Sequence, residues 1–198
     1  MRTSFEITPF WEGKRKLFIN PAKTTNFMIP EEFRSAMQSN RGCAVIMAGS
    51  DSDKPHIDEV VQSLKKYGIP YDIRICSAHK QPDRLMGMIR EYNEIGGMVA
   101  YVAVAGGTDA LSGTLSFHAL GPVISSPPDG PNESCLRNPP GSSNAYIARP
   151  ANVGRFIAQM YAGVNPGLKE LLEKENAIKI SSLEQADAKC QKIYGETK

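Results

Sequence analysis

The side chains able to do chemistry fall in three short stretches, each placed just after an apolar run. His79 stands in Ser77-Ala78-His79-Lys80, behind Ile73-Arg74-Ile75-Cys76. A histidine moves protons near neutral pH, which few other side chains do. Lys80 beside it can hold an anion or lower the histidine pKa by like charge. A surface histidine that caps the next helix is the competing reading. The second stretch, Gly49-Ser50-Asp51-Ser52-Asp53, follows Val45-Ile46-Met47-Ala48. It has neither the glycine spacing of a dinucleotide fingerprint nor the lysine of a P-loop. It does offer hydroxyls and free backbone amides at a positive helix end, a place for phosphate or another anion. Its carboxylates suit sugar hydroxyls better than a bare anion. Helix capping by Ser50, Ser52 or Asp53 is the simpler alternative.

The third stretch, Ala105-Gly106-Gly107-Thr108-Asp109-Ala110-Leu111-Ser112-Gly113, follows the apolar run 98–104. Two glycines after a strand let the chain turn sharply and let a ligand approach the backbone. Thr108 and Asp109 put polar groups at the mouth of that turn. Asp109 can hold a substrate amine or ribose hydroxyl, or cap the following helix. Arg137, farther on, can pair with phosphate or with an acid across an interface. His118 reads as packing late in a short helix, and His56 as an exposed first-turn residue. Three dispersed histidines make no convincing metal site.

These stretches converge only if strands and helices alternate around one parallel sheet. Strands are expected at 43–48, 71–76, 98–104, 121–125 and 144–149, with helices between them carrying apolar stripes such as Ile57, Val60, Val61 and Leu64. Parallel sheets gather ligands outside the carboxyl ends of their strands. The fold class expected is therefore α/β: a three-layer αβα sandwich on a parallel, flavodoxin- or Rossmann-like sheet. Residues 126–134, Ser126-Pro127-Pro128-Asp129-Gly130-Pro131-Asn132-Glu133-Ser134, are too broken for regular structure, and such a loop inside a compact domain is more often functional than not. The organisation expected is an N-terminal arm at 1–40, a catalytic domain at 41–165, and a C-terminal helical extension at 166–198, expected at a subunit interface with a last helix of the same chain as the alternative. In the arm, Phe5, Ile7, Phe10, Trp11, Leu17, Phe18 and Ile19 are too many large apolar groups for a disordered tail. Lys14-Arg15-Lys16 reads as solvated or interface charge.

Bulk properties narrow the classes. A chain of 198 residues fits one domain with a real core, and 41% hydrophobic with 22% charged is ordinary soluble composition. A net charge of +2 makes no global case for nucleic acid. No apolar run approaches the roughly eighteen residues of a membrane span, and Met1 to Thr8 do not read as a secretory signal. The four cysteines, Cys43, Cys76, Cys135 and Cys190, are scattered and expected to be reduced, as in a cytoplasmic protein.

Taken together, Gly49-Ser50-Asp51-Ser52-Asp53, Ser77-Ala78-His79-Lys80, Ala105-Gly106-Gly107, Pro127-Pro128 and Pro139-Pro140-Gly141 resemble the aminoimidazole ribonucleotide carboxylase/mutase family of purine synthesis. The resemblance runs over about residues 43 to 162 and leaves residues 1–40 unassigned. In the mutase class the turn after the third strand resembles Ala-Gly-Gly-Ala-Ala-His-Leu, whereas this chain has Ala110 in place of that histidine. It also has Lys80 where that class tends to have arginine. Both departures, and Ser134-Cys135-Leu136-Arg137, resemble the class that takes carbon dioxide directly and is also found in animal bifunctional enzymes.

The resemblance implies that His79 transfers the proton at the aminoimidazole carbon, and that Lys80 stabilises carbon dioxide or the new carboxylate. It implies that Ser50, Ser52 and Asp53 contact the ribose phosphate portion, and that Gly106 and Gly107 line the base. Gly49, Ser77, Thr108, Asp109, Ser112 and Arg137 complete the expected substrate-binding set. The substrates implied are 5-aminoimidazole ribonucleotide and carbon dioxide. Neither metal nor other cofactor is implied, and the family's assembly is an octamer with active sites near subunit junctions. Two rivals remain: an N5-carboxyaminoimidazole ribonucleotide mutase, and a non-catalytic nucleotide-binding module.

Overall fold

The computed structural model describes residues 27–195. The apolar groups of residues 5–19 and the basic patch 14–16 lie outside that range. Five parallel strands form the sheet: β1 (Cys43–Ala48), β2 (Tyr71–Ile75), β3 (Val99–Val104), β4 (Val123–Ser125) and β5 (Ala145–Tyr146). Their spatial order is β2-β1-β3-β4-β5, the flavodoxin-like order. The helices are α1 (Glu31–Gln38), α2 (Lys54–Lys66), α3 (Pro82–Ile95), α4 (Ala110–His118), α5 (Val153–Tyr161) and α6 (Pro166–Tyr194).

Strand alternation sorts the core into two layers. On one face Ala44, Ile46, Ala48, Val102 and Val104 pack under α2, α5 and the start of α6. On the other, Cys43, Val45, Met47, Tyr101 and Ala103 pack under α1, α3 and α4. Strands β1 and β3 are buried along their whole length, which is why they read as continuous apolar runs. The αβα sandwich expected from the sequence is the fold observed.

The third and fourth strands begin at Val99 and Val123 rather than 98 and 121, and three further differences from expectation have a visible cause. The second strand ends at Ile75: Cys76 donates its amide to Ala48 O as the last rung, and the chain then turns, with Ser77 O accepting the Gln81 amide. The fifth strand is two residues long rather than spanning 144–149. Its partner β4 stops at Ser125, since Pro127 and Pro128 cannot extend a ladder. Asn144 is drawn out of the strand by its side chain, which donates to Ser125 Oγ at 2.8 Å and to Cys135 O at 3.1 Å. The tail is one continuous 29-residue helix, α6, because no proline or glycine follows Gly167 until Gly195.

Only the first part of α6 is packed. Leu168 and Leu172 enter the core, and Glu175 receives Lys66, Tyr67, Arg155 and Lys179. Beyond Asn176 the helix is exposed, including Ile178, Leu183 and Ile193. All four cysteines are free, and three of them are buried. Among the described residues, no helix is long and apolar enough to cross a membrane.

Candidate active site

The carboxyl ends of β1, β2 and β3 meet at a cleft of ≈ 250 Å³. It lies where the strand order reverses, between β1 and β3. Each wall comes from one turn. After β1 the chain supplies Gly49, Ser50 and Asp53; after β2, Ser77, Ala78 and His79; after β3, Ala105, Gly106, Thr108, Ala110 and Leu111. A larger groove of ≈ 620 Å³ sits instead at the amino ends of β4 and β5, against Phe156 and Met160 of α5. It lacks the converging strand ends, so the smaller cleft is the better candidate.

The first turn is held by its own serines. Ser50 is extended and accepts the Ser52 amide at 3.2 Å and the Ser52 hydroxyl at 2.8 Å. Ser50 is thus a cap and a wall residue at once, and Ser52 serves the cap without lining the cleft. The second turn closes as Ser77 Oγ accepts the Lys80 amide at 3.3 Å and Ser77 O accepts the Gln81 amide at 2.8 Å. This leaves His79 exposed at the rim, with no side-chain hydrogen bond among the described residues. Lys80 is also exposed and stands outside the lining.

The third turn depends on glycine for two separate reasons. Gly107 adopts φ 63°, a left-handed backbone that side chains disfavour. At Gly106 a Cβ would fall 2.8 Å from Asp129 Oδ2, so the carboxylate would have to shift to admit it. That carboxylate accepts the Gly107 amide at 2.6 Å, while Asn132 Nδ2 donates to Gly107 O at 2.8 Å. Gly106 lines the cleft; the backbone groups of Gly107 face the 126–134 loop instead.

Asp109 is buried and caps α4, accepting the Ser112 amide at 2.8 Å through Oδ1. Its own amide donates to Ser134 Oγ at 2.9 Å. Burial pushes the Asp109 carboxyl above its ordinary value, against the pull of the Ser112 amide hydrogen bond. Its Oδ2 and the buried Ser112 Oγ have no partner, and neither residue lines the cleft. Arg137 lies on the surface, paired with Glu133 at 3.1 Å.

Of the residues singled out in the sequence, Gly49, Ser50, Asp53, Ser77, His79, Gly106 and Thr108 are brought together. Ser52, Lys80, Gly107, Asp109, Ser112 and Arg137 are not part of the lining. Sequence reasoning passed over Ala78, Ala105 and Leu111 as lining residues, whose small or apolar side chains carry no chemical signature; Ala110, noted in the sequence for the histidine it replaces, lines the cleft as well. It also passed over Asp129, Asn132 and Ser134, whose only signal was the irregular composition of their loop. Chemically, the cleft combines one rim imidazole, one carboxylate, serine hydroxyls, backbone amides and an apolar floor. That equipment can bind a polar nucleotide and move one proton.

Comparison with known proteins agrees on one family. The sequence model described as "AIR carboxylase" matches residues 43–181. A phosphoribosylaminoimidazole carboxylase of Treponema denticola is 33% identical over 159 residues, covering 77% of this chain and 94% of that protein. A bifunctional phosphoribosylaminoimidazole carboxylase/phosphoribosylaminoimidazole succinocarboxamide synthetase of Rattus norvegicus is 35% identical over 194 residues. The match spans 93% of this chain and 43% of that protein, so the chain is similar to less than half of the bifunctional enzyme. The crystal structure of Treponema denticola PurE superposes with a TM-score of 0.71 at 29% identity, over 75% of this chain and 98% of that one.

Proposed function

The chain belongs to the AIR carboxylase family, and from that premise we propose that it adds carbon dioxide directly to C4 of 5-aminoimidazole ribonucleotide. Membership sets the reaction class: carboxylase or mutase chemistry on aminoimidazole ribonucleotides in purine biosynthesis. The direct, ATP-independent carboxylase is our reading within that class. The observation that carries it is Ala110. This residue lines the cleft at the position where the mutase class resembles a histidine. A methyl group there relays no proton and leaves His79 as the sole imidazole in the wall.

The chemistry asks little of the protein. The amine makes the ring carbon electron-rich, so the ring's own electrons form the new bond to carbon dioxide. One oxygen takes the negative charge, and the ring carbon becomes tetrahedral while still carrying its hydrogen. His79 accepts that proton, and the electrons of the broken C–H bond restore the aromatic ring. Ser50, Ser77 and the amides at the start of α2 hold the ribose phosphate end, and Asp53 takes a sugar hydroxyl. The apolar floor of Ala78, Ala105 and Leu111 excludes water from the reacting face. Lys80, next to His79 at the rim, supplies a mobile positive charge for the growing carboxylate.

The test follows aminoimidazole ribonucleotide by absorbance while bicarbonate is titrated without ATP. A parallel run supplies fresh N5-carboxyamino nucleotide at low bicarbonate. Bicarbonate-dependent conversion of the first alone supports the carboxylase. Fast conversion of the second alone makes the protein a mutase, and tight nucleotide binding with neither conversion makes it a binding module. We further propose a homo-oligomer, an octamer by family resemblance, with the exposed second half of α6 at a subunit interface. Light scattering of the full chain and of a chain ending at Asn176 measures this; an unchanged mass would remove α6 from the interface.

A further inference from the structure

Two walls of the cleft are tied to one loop that does not itself line it. Residues 126–134 leave the end of β4, where the buried Ser126 donates its amide to Ala103 O at 2.9 Å. The Ser126 hydroxyl is hydrogen-bonded to His56 Nε2 at 3.0 Å. His56 stands on the first turn of α2, three residues beyond Asp53 of the cleft. In the middle of the loop, Asp129 and Asn132 grip the amide and carbonyl of Gly107. At its end Ser134 accepts the Asp109 amide. Pro127 and Pro128, between these grips, have fixed φ, so a displacement of Ser126 is passed on to Asp129 rather than absorbed.

We propose that His56 is a positioning residue: through Ser126 it fixes the 126–134 loop, and through that loop it sets the Gly106–Asp109 turn against the Ser50–Asp53 turn. His56 and Ser126 lie 70 residues apart in sequence, so their bond links two cleft turns that share no side-chain hydrogen bond of their own among the described residues. Burial lowers the His56 pKa against the opposing pull of Glu59, Ser126 and Asp53, which favours the neutral ring. A neutral imidazole and a hydroxyl pair whichever of them donates.

The kinetic part of the test rests on the carboxylase reading; its exchange part does not. Full-length H56L, S126A, H56L/S126A and H56Q would be compared with wild type for nucleotide KM, kcat and substrate-free hydrogen exchange at amides 106–110. The H56L and S126A variants are each expected to raise KM about tenfold, as small misplacements of binding groups do. Exchange at 106–110 should quicken in both, and the double variant should be no worse than either single one. The H56Q side chain, with an amide of similar reach, should restore both readouts. A lowered melting temperature with wild-type KM, kcat and exchange would overturn the positioning role. A wild-type protein inactive with both nucleotides would sink the functional reading alone, and the exchange data would still decide for or against His56.

Discussion

Asp129 packs against the bare α-carbon of Gly106: its Oδ2 stands 2.8 Å from the point a Cβ would occupy, while accepting the neighbouring Gly107 amide at 2.6 Å. A methyl at position 106 is accommodated only if the carboxylate shifts, which weakens its hold on that amide. Gly106→Ala should therefore lower kcat/KM about tenfold through misplacement of the cleft wall. The stability cost should stay near 1 kcal/mol, because the lost hydrogen bond is exposed. Asp129→Asn keeps an acceptor and should behave as wild type, whereas Asp129→Ala should match Gly106→Ala. Steady-state kinetics on the three variants checks this; a fully active Asp129→Ala would show the contact to be idle.

His79→Asn should lose about 10²- to 10⁴-fold in turnover, the range of a general base, while nucleotide binding measured by calorimetry stays close to wild type. Asparagine keeps a polar group at the rim but accepts no proton. Lys80→Ala should raise the bicarbonate requirement more than the nucleotide KM, since its proposed partner is the new carboxylate. Equal losses in both parameters would assign Lys80 to structure.

Glu175 joins α6 to the body of the fold, and its titration gives that junction a pH signature. Burial alone would raise its carboxyl, yet hydrogen bonds from Lys66, Tyr67 and Lys179 hold it down at about 2, below the ordinary 4.5. A depressed carboxyl contributes stability that is full above the unfolded value and is lost as pH falls through the folded one. Wild-type melting temperature should accordingly decline between pH 4.5 and 2. Glu175→Gln should start lower at neutral pH, by about 1–2 kcal/mol for the lost charged hydrogen bonds, and decline less over that window. Parallel slopes for the two proteins would mean that Glu175 does not govern the acid limb.

How far the sequence reached depends on the kind of signal. The fold was legible because β1 and β3 are buried on both faces and α2, α3 and α5 carry apolar stripes, so burial wrote itself into composition. Ser50, Asp53, Ser77, His79, Gly106 and Thr108 were findable because parallel topology forces strand ends together. Ser112 shows the limit: a neighbour in sequence lies away from the cleft lining once a helix sets its direction. The partners of Asp129, Asn132 and Ser134 could not be read, because they lie 22 to 25 residues away across an aperiodic loop. The continuity of α6 was hidden for another reason. The expected helical extension carried no sign of its length: the absence of a breaker decides continuity, and apolar pattern decides only which parts are packed.

Ala110 offers the sharpest test of the reaction. It lies in the first turn of α4, behind the Asp109 cap, and its methyl forms part of the cleft wall beside Leu111. Replacing it with histidine would put a second imidazole into a space of ≈ 250 Å³. The added ring would compete with carbon dioxide for volume and would set its own nitrogen near the substrate carbon. If the protein is a direct carboxylase, Ala110→His should reduce bicarbonate-dependent turnover about tenfold or more, in the manner of an overfilled site. Nucleotide affinity should change less, because the proposed phosphate site lies in the β1 turn, away from position 110. Any gain of activity toward the N5-carboxyamino nucleotide would show that one side chain suffices to relay the proton a mutase needs. Undiminished bicarbonate-dependent turnover would mean that carbon dioxide is not accommodated at the Ala110 wall, and the reading built on that residue would have to be withdrawn.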